Sequence, residues 1–327
     1  MLTVLIATRN RGAILRQTLE SFCALQEPSG GWRMVVADNG STDQTSAVLD
    51  SFAGRLPLRS VFEPKGGKNA ALNATFSLIA GDLTVLTDDD VFPHRDWLIE
   101  IRKAANTLTE YAIFGGAVRP RWEVPPPRWV EWIKQDAVFT VTDPDLKAGP
   151  MRAYNAYGPN MAIRNAAFES GIRFDESIGP RGASYAMGSE TELTLRLSRL
   201  GYKSWHVPTA VVEHFIRADQ IRKSWVLDRA IRYGRGKFRL RDLEGIGAPW
   251  SVWPQWFGVP RRFLLDVVQE EFRVLWGWLT LDERERLLAS WNRNYAWGHI
   301  MEARASVGDR KRGPAETQSK GEYVESR

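Results

Sequence analysis

Short apolar runs alternate with segments of helical periodicity along the first part of this chain, and that alternation leaves few architectures open. Leu2 to Ala7 reads as a buried strand, and Arg33 to Ala37, Leu58 to Phe62 and Leu83 to Leu86 as a second, third and fourth strand. Between them, Leu15, Leu19 and Phe22 form one helical stripe, Val48, Leu49 and Phe52 a second, and Ala71, Ala74 and Leu78 a third. Strand and helix repeated in this order predict βα units around a mostly parallel sheet, a Rossmann-like α/β half-domain. Ser41, with Gln44 three residues on, carries the capping-box pattern for the second helix.

Ligands of open α/β sheets sit beyond the carboxyl ends of the strands. Three polar clusters fall at such ends: Thr8 to Asn10, Asp38 to Ser41, and Asp88 to Asp90. Adjacent carboxylates repel one another unless a cation is shared among them. Hard divalent cations such as Mg²⁺ or Mn²⁺ take oxygen ligands, commonly one or two protein carboxylates together with substrate phosphates. Taken alone, the acidic triplet also reads as a solvated turn. Cys23 is the only cysteine, which excludes an intrachain disulfide and a cysteine-built zinc site. Oxygen or imidazole must therefore hold any metal.

Further along, residues 119–159 are rich in proline and tryptophan, including Trp122, Pro125, Pro126, Pro127, Trp129 and Trp132. They predict an extended, packed loop rather than sheet, and a candidate acceptor wall. A helix from Ser189 turns Leu193, Leu197 and Leu200 inward, and strand-like Ser204 to Val207 and Ala210 to Val212 lead to His214. From Trp250 to Trp297 the pattern is helical, with many aromatics and arginines. The expected organisation is one α/β domain over residues 1–240, in two halves of about 1–118 and 119–240, then a helical aromatic and basic extension over 241–305. Residues 306–327 are polar and read as a disordered tail.

The formal net charge of +5 and a pI near 9.3 suit polyanionic partners: nucleotides, phosphorylated lipids or an anionic membrane surface. No nucleic-acid motif is present. No apolar run approaches the roughly 20 residues that span a bilayer, and the opening lacks the features of a signal peptide. The expected compartment is the cytoplasm. Trp253, Trp256, Phe257, Arg261 and Arg262 suit either packing on the core or peripheral attachment at the inner face of the membrane.

Five segments, LTVLIATRNR, VVADNGSTDQT, KGGKNAALNATFSLIAGDLTVLTDDDVFP, GSETELTLRLSRLGY and VVEH, follow one another over about residues 2 to 235. In that order and spacing they resemble glycosyltransferase family 2, inverting transferases with the GT-A fold. The resemblance implies an α/β, Rossmann-like, mostly parallel sheet flanked by helices, here with a helical C-terminal extension. It implies that Thr8, Arg9 and Asn10 border the nucleotide and that Asp38 hydrogen-bonds the uracil or other base; a helix-capping carboxylate is the plainer reading of Asp38. Gly67, Lys68 and Asn69, with Gly66, resemble a loop near the donor, where glycine lets backbone approach a ligand and Lys68 can meet a phosphate.

By the same resemblance, Leu86-Thr87-Asp88-Asp89-Asp90 is the DXD element in altered form, and its register is open. Asp90 is the expected metal ligand, Asp88 either a second ligand or a ribose partner, and Asp89 a ribose partner. His214 resembles a histidine that closes the metal site, and imidazole suits Mn²⁺ better than Mg²⁺. An inverting transfer also needs a base for the acceptor hydroxyl. Where the family usually has Glu-Asp at a helix start, this chain has Ser189-Glu190, so Glu190 takes the base position with a longer side chain. Glu192 reads as structural. Arg229, Arg232, Arg235 and Lys237 suit a diphosphate, a lipid phosphate or a solvated helix face. Arg232-Tyr233-Gly234-Arg235 replaces the Gln-x-x-Arg-Trp element of processive members, which implies transfer of single sugars.

The implied activity is non-processive, inverting transfer from a nucleotide-diphosphate sugar, UDP-linked first, to an acceptor hydroxyl, with Mn²⁺ or Mg²⁺. Glycan, lipid-linked and small-molecule acceptors stay open. Two rivals remain. A nucleotidyltransferase usually carries a Gly-rich basic loop after the first strand, where Ala7 to Arg11 stand here. A non-catalytic nucleotide-sugar-binding module leaves Glu190 and the acidic triplet unexplained. A dehydrogenase is disfavoured because no G-x-G-x-x-G follows the first strand.

Overall fold

The computed structural model describes residues 1–182, 185–245 and 250–312. Its first half follows the sequence pattern: β1 (Leu2–Thr8), α1 (Gly12–Phe22), β2 (Trp32–Asp38), α2 (Thr45–Phe52), β3 (Leu58–Phe62), α3 (Lys68–Ala74) and β4 (Leu83–Leu86). These four strands pair in parallel in the order β3-β2-β1-β4. β1, β2 and β4 are largely buried because both faces of the sheet are covered there, whereas β3 (LRSVF) is the exposed edge. Leu15, Leu19 and Phe22 of α1 and Val48, Leu49 and Phe52 of α2 are buried in one cluster with β1, β2 and β4. The expected capping box does not form. Ser41 Oγ accepts the Asn10 amide at 2.8 Å, and Asp43 receives the amides of Thr45 and Gly12, each at 3.0 Å.

The chain continues through β5 (Val91–Pro93), α4 (Trp97–Thr107), β6 (Tyr111–Trp122), α5 (Gln135–Phe139), β7 (Gly149–Met151), β8 (Met161–Arg164), α6 (Ser189–Arg199), β9 (Lys203–Ile216) and α7 (Lys223–Glu244). The sheet becomes nine-stranded, in the order β3-β2-β1-β4-β8-β6-β9-β5, with β7 alongside β9. β8 runs antiparallel to both β4 and β6, so the second half is mixed. The expected loop over 119–159 is corrected in part: β6 carries sheet to Trp122, and β7 adds an edge. Leu193 and Leu197 of α6 are buried as expected, whereas Leu200 caps the helix and is 62% exposed. Ser204 to Val207 and Ala210 to Val212 belong to one strand, β9, with a register shift between them.

The C-terminal helices pack on the wall of the first domain. A two-stranded hairpin, β10 (Gln255–Trp256) and β11 (Val259–Pro260), leads into α8 (Arg261–Leu279) and α9 (Glu283–Arg312). α7 runs through the domain boundary expected at residue 240. It meets α9 backbone to backbone: a Cβ on Gly234 would lie 2.1 Å from Tyr295 O, and one on Gly298 2.2 Å from Ile231 O. Gly236, two residues on and so facing the opposite way, has Met187 O at 2.0 Å from its Cβ position. The buried carboxylate of Glu302 joins α9 to Arg235 at 2.8 Å and to Arg239. Helix α9 reaches Arg312, into the segment expected to be a tail; residues 313–327 of that segment lie outside the described residues.

Trp253 packs with Trp250 and Phe263, beneath the Arg241 guanidinium. By contrast, Phe257 at the hairpin turn is 91% exposed, and Leu265, Val268, Phe272, Leu275 and Leu279 of α8 face outward at three- and four-residue spacing. Among the described residues, no helix is long and apolar enough to cross a membrane.

Candidate functional site

The carboxyl ends of β1, β2 and β4 open on a cleft of about 660 Å³, lined on its far side by residues 154–159, 185–191 and α7. β4 delivers the acidic triplet to its floor. β5 then pairs antiparallel with β9, Val91 against His214, so that His214 meets the triplet across the sheet. One ligand atom each from Asp88, Asp90 and His214 lies within 4.8 Å of the others. His214 Nδ1 is 2.8 Å from Phe139 O, at the end of α5. That contact calls for Nδ1–H as donor and leaves Nε2, 3.5 Å from Asp90 Oδ1, as the nitrogen a metal ion would take. Two carboxylates and one imidazole form a donor set suited to Mn²⁺ or Mg²⁺.

The three aspartates take different partners. Asp88 Oδ1 lies 2.5 Å from Lys68 Nζ. Asp89 accepts Thr8 Oγ1–H at 2.6 Å and pairs with Arg11 Nη1 at 2.9 Å; its side chain is buried, with both oxygens engaged, at the floor of the cleft. Asp90 pairs with Arg11 Nη2 at 2.6 Å and with His214. Burial, with Asp90 alongside, pushes the Asp89 carboxyl up to about 6 against the pull of Arg11 and Thr8. For Asp90 burial works in the same direction, but His214 and Arg11 outweigh it and hold the carboxyl well below its ordinary range. His214 is in turn raised, Asp90 overcoming the effect of burial.

Lys68 links the triplet to the helix opposite. Its Nζ is 2.7 Å from Glu190 Oε1 as well as 2.5 Å from Asp88 Oδ1. Burial alone would lower its pKa, and the two carboxylates raise it instead. Glu190 sits in the first turn of α6, where the helix dipole favours a negative charge. A Cβ on Gly158 would come within 2.7 Å of its Cδ, so the 157–159 segment presses directly on this carboxylate. Glu192 forms an ion pair with Arg196 along the helix and is buried, as its spacing predicted.

The remaining residues singled out in the sequence divide. Thr8 and Arg9 line the cleft. Asn10 instead ties the end of β1 to the loop after β2, its Oδ1 accepting the Thr42 amide at 2.7 Å. Asp38 is buried at the end of β2, with Oδ1 accepting the Ser41 amide at 2.9 Å. Gly67, at φ 131°, opens α3 and donates its amide to Asn39 Oδ1 at 2.8 Å. Asn69 departs from its expected place beside the donor. It is buried, and its amide group donates to Asp175 O at 2.6 Å and Ile178 O at 3.0 Å, which fixes the 175–178 loop. Arg235 is turned to Glu302, away from the other basic residues of its run.

Two contributors escaped the sequence reading. Arg11, with two carboxylates, is the main countercharge on the floor; its only signal was a second arginine in the polar cluster after the first strand. Asn39 donates to Glu63 O at 3.1 Å and Lys65 O at 2.7 Å, and so shapes the loop leading to Lys68. Its place beside Asp38 at a strand end was the available signal.

Known proteins share both the sequence pattern and the fold. Probable glycosyltransferase YdaM of Bacillus subtilis (strain 168) is 24% identical over 258 residues, 72% of this chain and 54% of that protein. Beta-monoglucosyldiacylglycerol synthase of Nostoc sp. (strain PCC 7120 / SAG 25.82 / UTEX 2576) is 28% identical over 103 residues, 30% of this chain and 22% of that one. This chain therefore matches about half or less of the length of these relatives. Among solved structures, the mannosyltransferase PcManGT from Pyrobaculum calidifontis, in complex with GDP-Man and Mn²⁺, superposes with TM-score 0.55 at 18% identity, covering 96% of this chain and 76% of that one. S. aureus TarS in complex with UDP-GlcNAc gives 0.52 at 14% identity, with 94% and 92% covered. A family model described as Glycosyl transferase family 2 matches residues 3–171, more than half of the 327. The chain has the GT-A fold and belongs to glycosyl transferase family 2.

Proposed function

We propose that this chain transfers single sugars from a nucleoside-diphosphate donor, UDP-linked first, to an acceptor hydroxyl, with inversion at the anomeric carbon. The observation that carries the reading is one lysine, Lys68, joining the Asp88 side of the acidic floor to Glu190 on the opposite helix. The two chemical tasks of such a transfer are thereby held within one side chain's reach. Asp88, Asp90 and His214 would hold the divalent ion, which when bound neutralises charge building on the departing diphosphate. Asp38, at the end of β2, would read the base, whose imide or amino protons a carboxylate accepts.

Glu190 would take the proton from the acceptor hydroxyl as its oxygen bonds to the anomeric carbon and the bond to the diphosphate breaks. The test is release of nucleoside diphosphate from a panel of nucleotide sugars, with Mn²⁺, with Mg²⁺ and after chelation. Metal-dependent release from one donor is the expected outcome. Failure to turn over any donor while nucleotide is still bound would favour the binding-module reading.

Attachment to an anionic bilayer through the α8 face belongs to the same proposal. The outward stripe from Leu265 to Leu279 and the exposed Phe257 supply apolar contact, and Arg261 and Arg262 at the helix start supply positive charge. The chain is expected to float with phosphatidylglycerol-containing vesicles at low salt, and a Phe257→Asp, Phe272→Glu variant to stay behind. Full-length protein that sediments away from the vesicles at low salt would end this part of the proposal.

A further inference from the structure

Arg229 and Arg232 lie one turn apart on α7, line the cleft, and have no task in the reaction described above. Arg229 reaches only neutral acceptors, Thr140 Oγ1 at 3.3 Å and Ala137 O at 3.4 Å, with the Trp225 ring 5.4 Å away. Burial lowers its pKa to about 10, although Asp88 and Asp90 pull the other way. Arg232 stacks near Tyr185 at 5.7 Å, and its Nε is buried without a hydrogen-bond partner. Among the described residues, no ion pair joins a carboxylate to either arginine. Of the other cations lining the cleft, Arg11 is matched with Asp89 and Asp90, Lys68 with Asp88 and Glu190, and Lys237 with Glu244, whereas Arg9 and Arg181 are exposed to solvent. Uncompensated buried guanidinium groups are costly unless an anion arrives to complete them. Their planar fork of donors fits phosphate oxygens.

Their location points to the acceptor. Tyr157 precedes Gly158, which presses on Glu190, and Lys237 Nζ lies over the rings of Tyr154 and Tyr233 at 5.4 and 5.8 Å. The Met187 amide donates to Arg232 O at 3.1 Å, which ties the segment before Glu190 to α7. An acceptor whose hydroxyl reaches Glu190 must therefore lie along this aromatic and basic wall. We infer that Arg229 and Arg232 bind a phosphate group carried by the acceptor, so that the enzyme selects phosphorylated acceptors. This assignment rests on the reading of Glu190 as the base.

Inorganic phosphate is the probe, titrated calorimetrically into the full chain already saturated with Mn²⁺ and UDP. Wild type is expected to bind it, and the Arg229→Gln, Arg232→Gln variant to bind it at least about tenfold more weakly while its UDP affinity is maintained. Three results would overturn the assignment: phosphate displaced by UDP, which would give the arginines to the donor; equal binding by wild type and variant; or no binding by wild type. Should the double variant fail to fold, Arg232→Gln alone makes the comparison. If the chain binds no nucleoside diphosphate, the donor reading falls separately, and phosphate is titrated without UDP. Loss of binding in the variant then upholds the anion site, and retention overturns it.

Discussion

Replacing Asp90 by alanine is expected to lower metal-dependent turnover roughly 10³-fold or more, since a bound divalent ion supplies several kcal/mol of charge stabilisation. Asp90 is the member of the triplet that meets both His214 and Arg11. Its removal leaves Asp88 and His214 as an incomplete set, and Mn²⁺ titration followed by calorimetry or paramagnetic relaxation should weaken in parallel. Arg11 keeps Asp89 as partner, so the fold should survive, which a thermal melt checks. The Asp89 carboxyl, held high by burial and by Asp90, should also titrate lower in the variant. Wild-type Mn²⁺ affinity and turnover in Asp90→Ala would remove the acidic floor from the mechanism.

Glu190→Gln is expected to lower turnover about 10²- to 10⁴-fold, the usual contribution of one positioned base. The change is nearly isosteric and leaves Lys68 its contact with Asp88. Donor binding should therefore persist, and the loss should fall on kcat rather than on KM for the nucleotide sugar. Glu190→Asp adds a second check, because it restores the shorter acid usual in related proteins while withdrawing the carboxylate from Gly158 and Lys68. Turnover by Glu190→Gln within about tenfold of wild type would assign the proton to another acceptor.

The parallel half of the fold was legible because a strand buried on both faces has to be apolar throughout, and the polar residues that interrupt it mark the ligand end of the sheet. Leu2 to Thr8 and Leu83 to Leu86 show this plainly. The mixed half was harder. Pro120 and Trp122 look like loop residues, yet β6 continues through them along the full length of β9, a pairing set by contacts far apart in sequence. The candidate site was readable as a set of positions but not as a set of partners. Three consecutive aspartates point in different directions, and only the strands around them decide that Asp89 turns to Thr8 and Arg11 while Asp88 and Asp90 share a side with His214. For Asn69 the sequence placed the residue beside the correct loop, but it lies in the first turn of α3, and the backbone of residues 175–178 claimed its side chain. The outward stripe of α8 has the same spacing as a core stripe, so periodicity alone could not reveal which way it faces.

The glycines of α7 have a bearing on how this enzyme can be altered. Gly234 rests on the backbone of α9 and Gly236 on that of Met187, with no side chain between, so the helix is clamped on two opposite sides. A rod gripped in that way can neither roll nor slide to accommodate a new guest. Helix α9 contributes none of the residues that line the cleft, yet it sets the position of the wall from behind. Trimming the chain to its family-matched segment would keep the carboxylates of the floor and lose the chamber around them.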